Sequence, residues 1–309
     1  MNTKELAIKI KKQQRFVSGH RSCAGCPFPG IVRTVLAATD DEVVVSCATS
    51  CLEVVSTIYP FTSWNIPWIH NTFENAAATI SGVEAAYKGL KRKNKINKKV
   101  KFIAFGGDGG TYDIGLQSLS GALERGHDFV YVCYDNEGYQ NTGGQRSSAT
   151  PYGAATSTSP DGKVHHGKEQ FRKDLIKICV AHNIPYAAQA ASHNKIDLYN
   201  KTKKALETPG PAVLNVFSPC IPNWKLQMNE ALEISKLAAE TCFWPLYEVV
   251  DGKYKLNFKP TKKRPITDFL QNQGRFKHLF DPANRNIVNA LQAEVDRRWE
   301  EILRLSEAR

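Results

Sequence analysis

The hydrophobic pattern alternates between short apolar runs and longer amphipathic stretches along most of the chain. Short runs of β-branched and aromatic residues are typical of buried strands, and Ala-rich or amphipathic stretches of about ten or more residues are typical of helices. The predicted strands are Glu42–Val45, Lys101–Phe105, Phe129–Tyr134 and Ala212–Phe217, and the predicted helices are Asn75–Leu90, Ile114–Arg125 and Lys173–His182. This alternation predicts an α/β fold with a mainly parallel sheet flanked by helices. In such sheets ligands collect beyond the carboxyl ends of the strands.

The rest of the chain shows weaker periodicity. Thr142–Lys168 is rich in Gly, Ser and Thr and predicts a long irregular loop, which in a compact domain is usually functional or disordered. From about Asn223 the strand signal fades, and we expect helices with linkers, including an amphipathic helix over Val288–Leu305. We therefore expect a cofactor-binding domain over residues 1–240. Residues 241–309 are expected to form a helical C-terminal extension that packs on the same domain or on a partner subunit.

Composition limits the class of protein. The 309 residues are 42% apolar and 23% charged, which is ordinary for a globular chain. No apolar run reaches the roughly 18 residues of a membrane span, so none is expected. The Lys-rich N-terminus lacks the apolar core of an export signal, and we expect a cytoplasmic protein.

The formal net charge is +11, and much of it lies in Lys88–Lys101 and Lys259–Arg264. These segments contain almost no aromatic residues that could stack on bases, so we expect no nucleic-acid partner. A solvated surface is the favoured interpretation of the basic segments. Electrostatic attraction of an acidic redox partner is the alternative.

A glycine-rich loop follows the predicted strand Lys101–Phe105. Its Gly107-Asp108-Gly109 sequence places backbone N–H groups where a phosphate could approach, because glycine has no side chain in the way. A carboxylate beside phosphates is repulsive unless a cation lies between them, and Mg²⁺ prefers oxygen ligands. Asn136 and the carbonyl of Gly138 follow the next predicted strand and can supply two more oxygens. The pattern predicts a magnesium–diphosphate site, with thiamine diphosphate as the cofactor. The alternative is a pair of ordinary strand–helix turns.

Four of the eight cysteines have spacing typical of metal ligands. Cys23 and Cys26 form a C-x-x-C pair, Cys51 follows the first predicted strand, and Cys220 follows the last one. Four thiolates are the usual ligands of a [4Fe–4S] cluster, and discontinuous spacing is permitted. A structural zinc site and unlinked thiols are the alternatives. Cys47 is the main competitor of Cys51, and the remaining cysteines, which have apolar surroundings, are predicted core residues: Cys133, Cys179 and Cys242.

Together with these motifs, several others resemble one family. They are Gly19–Cys26, Cys51–Val55, Pro67–His70, Phe73–Ala76, Gly107–Gly109, Tyr139–Gln145, Gly274–Phe280 and Val295–Trp299. The chain resembles the β subunit of pyruvate:ferredoxin oxidoreductase over nearly its whole length. Asn141-Thr142-Gly143-Gly144-Gln145 beside a magnesium loop is specific to the 2-oxoacid:ferredoxin oxidoreductases. The resemblance implies the thiamine-diphosphate-binding fold.

The resemblance also implies residue roles. Cys23, Cys26, Cys51 and Cys220 would bind the [4Fe–4S] cluster nearest to thiamine diphosphate, and Asp108, Asn136 and the Gly138 carbonyl would bind Mg²⁺. The residues expected around the cofactor are Cys51, Gly107, Asp108, Gly109, Asn136, Gly138, Asn141 and Thr142. Of these, Asn141 is the expected catalytic residue, near the diphosphate and the reacting carbon.

The implied activity is the oxidative decarboxylation of a 2-oxoacid, pyruvate in the first instance, to acetyl-CoA and CO₂. Single electrons would pass through the cluster to ferredoxin, and coenzyme A would be a co-substrate. An α subunit would complete the thiamine site and supply the activating Glu, and ferredoxin-like δ and γ subunits would carry electrons outward. The alternatives are the same machinery acting on oxalate or a branched-chain oxoacid, and, more distantly, a non-catalytic metal-stabilised subunit.

One position departs from the family pattern. The family commonly has a Glu two residues after the C-x-x-C pair, close to thiamine, and this chain has Phe28 there. We expect Phe28 to influence substrate preference. The alternative is that its ring packs in the apolar shell of the cluster.

Overall fold

One eight-stranded sheet runs through the structure, a computed structural model that describes residues 1–307. In chain order its strands are β1 (Glu42–Ala48), β2 (Trp68–Asn71), β3 (Val100–Gly107), β4 (Val130–Asp135), β5 (Tyr186–Ala191), β6 (Ala212–Phe217), β7 (Tyr247–Val250) and β8 (Lys253–Leu256). They lie in the order β2-β1-β3-β4-β6-β5-β7-β8. All pairs between β2 and β5 are parallel, and β7 and β8 are antiparallel. The predicted mainly parallel α/β fold is confirmed.

Helices cover both faces of this sheet. They are α1 (Thr3–Gln13), α2 (Phe28–Leu36), α3 (Cys51–Ser56), α4 (Ala76–Arg92), α5 (Leu116–Glu124), α6 (Leu175–Val180), α7 (Lys195–Glu207), α8 (Ala231–Glu240), α9 (Ile266–Leu270) and α10 (Arg285–Glu307). Two 3-10 turns, Gly274–Phe280 and Pro282–Asn284, precede α10. The predicted helix over Ile114–Arg125 corresponds to α5, which begins at Leu116 because a π-helical turn, Gly109–Ile114, precedes it.

Alternating side chains of the strands form two cores. Val45 of β1 and Phe105 of β3 face α1, α2 and α7, whereas Phe102 and Ala104 of β3 face α4, α5 and α6. The period of two along a strand requires this division. All six residues of β4 are buried, as a central parallel strand covered on both faces should be.

The C-terminal part forms a third core and also extends the sheet. Helices α8, α9 and α10 pack around Phe217 and Trp244. The expectation of helices with linkers beyond Asn223 is incomplete, since β7 pairs with β5, and β8 pairs with β7. Asp251 and Gly252 have φ of 48° and 78°, as a tight hairpin requires, and this Asp-Gly pair between two alternating runs is a signal that could have predicted the hairpin.

The carboxyl ends of four adjacent strands bring the predicted chemical residues to one edge of the sheet. Strand β1 leads into Cys51, β3 into Asp108, β4 into Asn136 and β6 into Cys220. The basic segment Lys88–Lys101 runs from the end of α4 into the start of β3, so it lies at the opposite edge. Among residues 1–307, no helix is long and apolar enough to cross a membrane.

We expect Leu291→Ala to lower the free energy of unfolding by about 2–5 kcal/mol, because it removes a buried side chain from the third core and leaves a cavity. Urea denaturation followed by circular dichroism measures the change. Glu300→Ala on the exposed face of the same helix is the matched control and should change this free energy by less than about 0.5 kcal/mol. Equal effects of the two substitutions would contradict the packing described for α10.

Candidate functional site

A cleft opens where the ends of β1, β3 and β4 meet. It encloses about 500 Å³, part of it open to solvent. The residues that line it are Thr49, Ser50, Cys51, Phe73, Gly107, Gly109, Gly110, Tyr134, Asn136, Gly138, Tyr139, Gln140, Asn141 and Thr142. A second cavity, of about 700 Å³, lies under α10 and contains none of the predicted site residues. The structure therefore gathers most of the predicted cofactor-binding residues around one cleft.

Asp108 lies behind the wall of this cleft and is completely buried. Its Oδ2 accepts a hydrogen bond from the Ser147 hydroxyl at 2.5 Å, and its Oδ1 accepts one from the Asn136 N–H at 3.2 Å. Burial raises the pKa of the Asp108 carboxyl well above its usual range, and the nearby Asp135 raises it further. An ionised Asp108 therefore needs a cation beside it.

The oxygens around Asn136 are arranged as a cation would require. The side-chain Oδ1 of Asn136 lies 2.8 Å from Oδ1 of Asp108 and 3.0 Å from the carbonyl oxygen of Gly138. Three acceptors that face one another repel, unless the amide rotates by 180° to donate from its nitrogen or a cation lies among them. A carboxylate, an amide oxygen and a backbone carbonyl are the donor types that Mg²⁺ prefers. The residues present fit the ion that the fold family implies.

The glycines of the loop make room for the Tyr139 ring and for the backbone of Phe73 in the cleft wall. A Cβ atom on Gly109 would lie 2.5 Å from the ring of Tyr139, and one on Gly110 would lie 2.8 Å from the Phe73 carbonyl oxygen. The Tyr139 hydroxyl donates to the Gly109 carbonyl at 2.8 Å. The π-helical turn that begins here is a form often found at functional sites.

Asn141 and Thr142 lie exposed at the mouth of the cleft. Their loop turns tightly on Tyr139, whose carbonyl accepts hydrogen bonds from the Gly144 N–H at 3.0 Å and from the Thr142 hydroxyl at 3.3 Å. The predicted irregular loop over Thr142–Lys168 is confirmed, since it holds only isolated bridges. It folds back on the site, because Ser147 donates to Asp108.

Four thiols, those of Cys23, Cys26, Cys51 and Cys220, lie within range of one another's charge, and one of them, Cys51, lines the cleft. Burial raises the pKa of Cys51, and the neighbouring Cys220, Cys26 and Cys23 raise it further. Burial also raises the pKa of Cys26 to about 12 and that of Cys220 to about 11. Across residues 1–307, however, no three His, Cys, Asp or Glu side chains are arranged closely enough to hold one metal ion.

Two of these sulfurs, those of Cys26 and Cys220, have hydrogen-bond donors beside them. The N–H of Phe28 donates to Cys26, and the N–H and side chain of Asn223 donate to Cys220, in each case lowering the pKa of the thiol against the effect of burial. Donors of this kind favour the thiolate form and are found around cluster sulfurs. Two of the four thiols thus have the donors that the cluster implied by the resemblance would need.

The loops that carry the thiols also touch. Gly25 has φ of 79°, and a Cβ atom there would lie 1.8 Å from the Met228 carbonyl oxygen, in the segment that follows Cys220. Only glycine fits this turn.

Cys51, and not Cys47, is the neighbour of the other three thiols. Cys47 is fully buried in β1, where its thiol faces the Ala48 carbonyl at 3.6 Å. The structure also buries the cysteines predicted as core residues, namely Cys133, Cys179 and Cys242.

Phe28 does not line the cleft. Its side chain is 3% exposed at the start of α2, and its ring lies 6.0 Å from that of Tyr134, which does line the cleft. This position favours the packing interpretation of Phe28 over direct contact with substrate.

Sequence reasoning missed a group of buried charges behind the cleft. The carboxylates of Asp135 and Glu137 are fully buried, and both accept hydrogen bonds from Arg172. Arg275 also donates to Glu137, at 2.6 Å. No local pattern predicts these pairs, since their partners are distant in sequence. Arg275 lies in the Gly274–Phe280 motif, for which the resemblance implies no role.

Known proteins similar to this chain agree with the geometry. Residues 44–216 match the family model described as the thiamine pyrophosphate enzyme C-terminal TPP binding domain. The chain is 52% identical to pyruvate synthase subunit PorB of Thermotoga maritima, over 99% of this chain and 97% of the relative. It is 48% identical to PorB of Methanocaldococcus jannaschii, over 89% and 93%. It is 41% identical to ketoisovalerate oxidoreductase subunit VorB of Pyrococcus horikoshii, over 97% and 96%.

A solved structure supports the same fold. The 2-oxoglutarate:ferredoxin oxidoreductase from Magnetococcus marinus, with 2-oxoglutarate, coenzyme A and succinyl-CoA bound, matches with a TM-score of 0.59 at 22% identity. The match covers 73% of this chain and 72% of that one. The predicted thiamine-diphosphate-binding fold is thereby confirmed. This chain belongs to the thiamine pyrophosphate enzymes and, within them, to the family of pyruvate:ferredoxin oxidoreductase β subunits.

Proposed function

We propose that this chain binds thiamine diphosphate, Mg²⁺ and a [4Fe–4S] cluster in a cytoplasmic pyruvate:ferredoxin oxidoreductase that forms acetyl-CoA and CO₂. The observation that carries the proposal is the position of Cys51, which lines the cleft and also neighbours the other three thiols. A redox centre held by Cys51 would lie directly beside a cofactor bound in the cleft. A thiamine decarboxylase without redox chemistry has no need of that arrangement.

The magnesium donors would hold the diphosphate end of the cofactor. When bound, thiamine diphosphate supplies the nucleophilic carbon and the electron sink for decarboxylation, and the cluster accepts electrons one at a time. Asp108, Asn136 and the Gly138 carbonyl would hold the cation against the phosphates. The rings of Phe73 and Tyr139 line the cleft and would give the cofactor apolar surface to pack against. Asn141 at the mouth would donate a hydrogen bond toward the reacting end.

A partner subunit would complete the site. Among the residues of the described chain that line the cleft there is no Asp or Glu. Activation of the thiamine ring needs a carboxylate, and we propose that an α subunit supplies it. Ferredoxin-like δ and γ subunits would receive the electrons and pass them to ferredoxin, and coenzyme A would take the acyl group.

Pyruvate is the proposed substrate because the relatives with the higher identity are named for it. Branched-chain 2-oxoacids are the second candidate, since the ketoisovalerate oxidoreductase subunit is 41% identical over nearly the whole chain.

The substrate is tested with the purified complex, a viologen dye as electron acceptor and a panel of pyruvate, 2-oxoisovalerate, 2-oxoglutarate and oxalate. We expect dye reduction that depends on coenzyme A, with the highest kcat/KM for pyruvate. A higher kcat/KM for 2-oxoisovalerate would replace pyruvate with a branched-chain substrate. No dye reduction with any oxoacid by a complex that retains its cofactors would contradict the proposed activity.

We expect Asp108→Asn to reduce bound thiamine diphosphate and Mg²⁺ in the purified complex at least tenfold, because the neutral amide no longer balances a cation against phosphate. Cofactor released by acid is measured by its fluorescence after oxidation, and metal by mass spectrometry. Asp128→Asn, an exposed position at the opposite edge of the sheet, is the control and should retain both. Normal cofactor and metal content in Asp108→Asn would remove Asp108 from the magnesium site.

We expect Cys220→Ser to lose or degrade the cluster, because four thiolates are needed to hold it. Cys179→Ser, at a buried cysteine in a different core, is the matched control and should keep it. Iron content and visible absorbance measure the cluster in both variants. A cluster that survives Cys220→Ser but is lost in Cys47→Ser would show that the proposed ligand set is wrong.

A further inference from the structure

Glu137 connects two of the proposed magnesium donors in a strained backbone conformation. It lies between Asn136 and Gly138, and its φ of 60° is in the left-handed region, where a side chain with a Cβ is disfavoured. This turn is what directs the Asn136 side chain and the Gly138 carbonyl toward the same point. Because only glycine adopts this conformation without a steric cost, contacts from the surrounding structure must hold Glu137 in it.

Two arginines clamp the carboxylate of Glu137. Its Oε1 accepts from Arg172 at 2.9 Å, and its Oε2 accepts from Arg275 at 2.6 Å. The side chain of Glu137 is completely buried, and those of the arginines are 10% and 3% exposed. The backbone of Glu137 is fixed as well, because its N–H donates to Asp135 at 3.1 Å and its carbonyl accepts from the Thr150 hydroxyl at 2.7 Å.

Arg275 reaches this turn from the C-terminal part of the chain, 138 positions away. Its guanidinium is itself held in place. Nε donates to Gln273 at 2.9 Å, and the group lies 3.5 Å from the centre of the Trp224 ring. A planar group packed against an aromatic ring and paired with a carboxylate has little freedom to move.

We infer that Glu137 and Arg275 are positioning residues that hold the Asn136–Gly138 turn in the geometry that binds the divalent cation. The inference rests on the proposed magnesium site. It gives the C-terminal segment Gly274–Phe280 a role in cofactor binding, although no residue of that segment lines the cleft. Arg275 acts through Glu137 and touches neither metal nor substrate.

The test measures Mn²⁺ binding by electron paramagnetic resonance, with thiamine diphosphate present, in the purified complex of the chain and its partner subunits. Arg275→Gln and Glu137→Gln should weaken Mn²⁺ binding by roughly tenfold or more, as the loss of groups that orient metal ligands usually does. Arg275→Lys keeps the charge and loses the fork of donors, so its affinity should lie between those of wild type and Arg275→Gln. Arg297→Gln on the exposed face of α10 is the matched control and should bind Mn²⁺ like wild type.

A merely structural clamp would give a different result. In that case the melting temperatures of Arg275→Gln and Glu137→Gln would fall, while the Mn²⁺ dissociation constant of the folded complex would stay at the wild-type value, and the inference would be overturned. If Arg275→Gln does not assemble, Arg275→Lys and Glu137→Gln decide the question by the same constant. A wild-type complex that binds no Mn²⁺ in the presence of thiamine diphosphate would overturn the proposed site itself. If the wild-type complex binds Mn²⁺ and the variants have the same dissociation constant, only the positioning role would be overturned.

Discussion

The candidate site depends on negative charge buried at the ends of β3 and β4. Asp108, Asp135 and Glu137 are all buried there, and the charges of Asp135 and Glu137 raise the pKa of the Asp108 carboxyl. An unpaired carboxylate in such a place costs several kcal/mol. Arg172 and Arg275 offset the charge of Asp135 and Glu137. Asp108 has only a hydroxyl and an amide as partners, so it is the carboxylate left for a cation.

This distribution of charge explains why the third core is joined to the cofactor domain. Arg275 stands on the 3-10 turn before α10, and Arg172 precedes α6, where its guanidinium lies 4.5 Å from the centre of the Trp244 ring. The aromatic residues of the C-terminal part thus surround the positive charges that neutralise the end of β4. The strands β7 and β8, which continue the sheet past residue 240, tie the same region to β5. Burial of aromatic surface and burial of charge are achieved by one set of contacts.

The sequence allowed prediction of those features that follow from local order along the chain. Asp108 and Asn136 could be placed together because each follows a strand, and parallel strands end at the same edge. The Glu137–Arg275 pair could not be predicted, since it joins segments whose relative position is set only by packing. Two interpretations of Phe28 stayed open for a related reason: its position beside a cysteine pair does not reveal that its side chain is buried in the core at the start of α2. The hairpin of β7 and β8 could have been predicted, because Asp251-Gly252 is typical of a two-residue hairpin turn.

The contact between Gly25 and the Met228 carbonyl joins a segment synthesised early to one synthesised about 200 residues later. The turn that carries Cys23 and Cys26 is made early, but the surface on which it rests exists only after β6 has joined the sheet and the segment beyond Cys220 has emerged. A nascent chain therefore presents three thiols on an unfinished support for most of its synthesis. A centre that requires all four thiols can be loaded only onto a chain whose sheet is nearly complete.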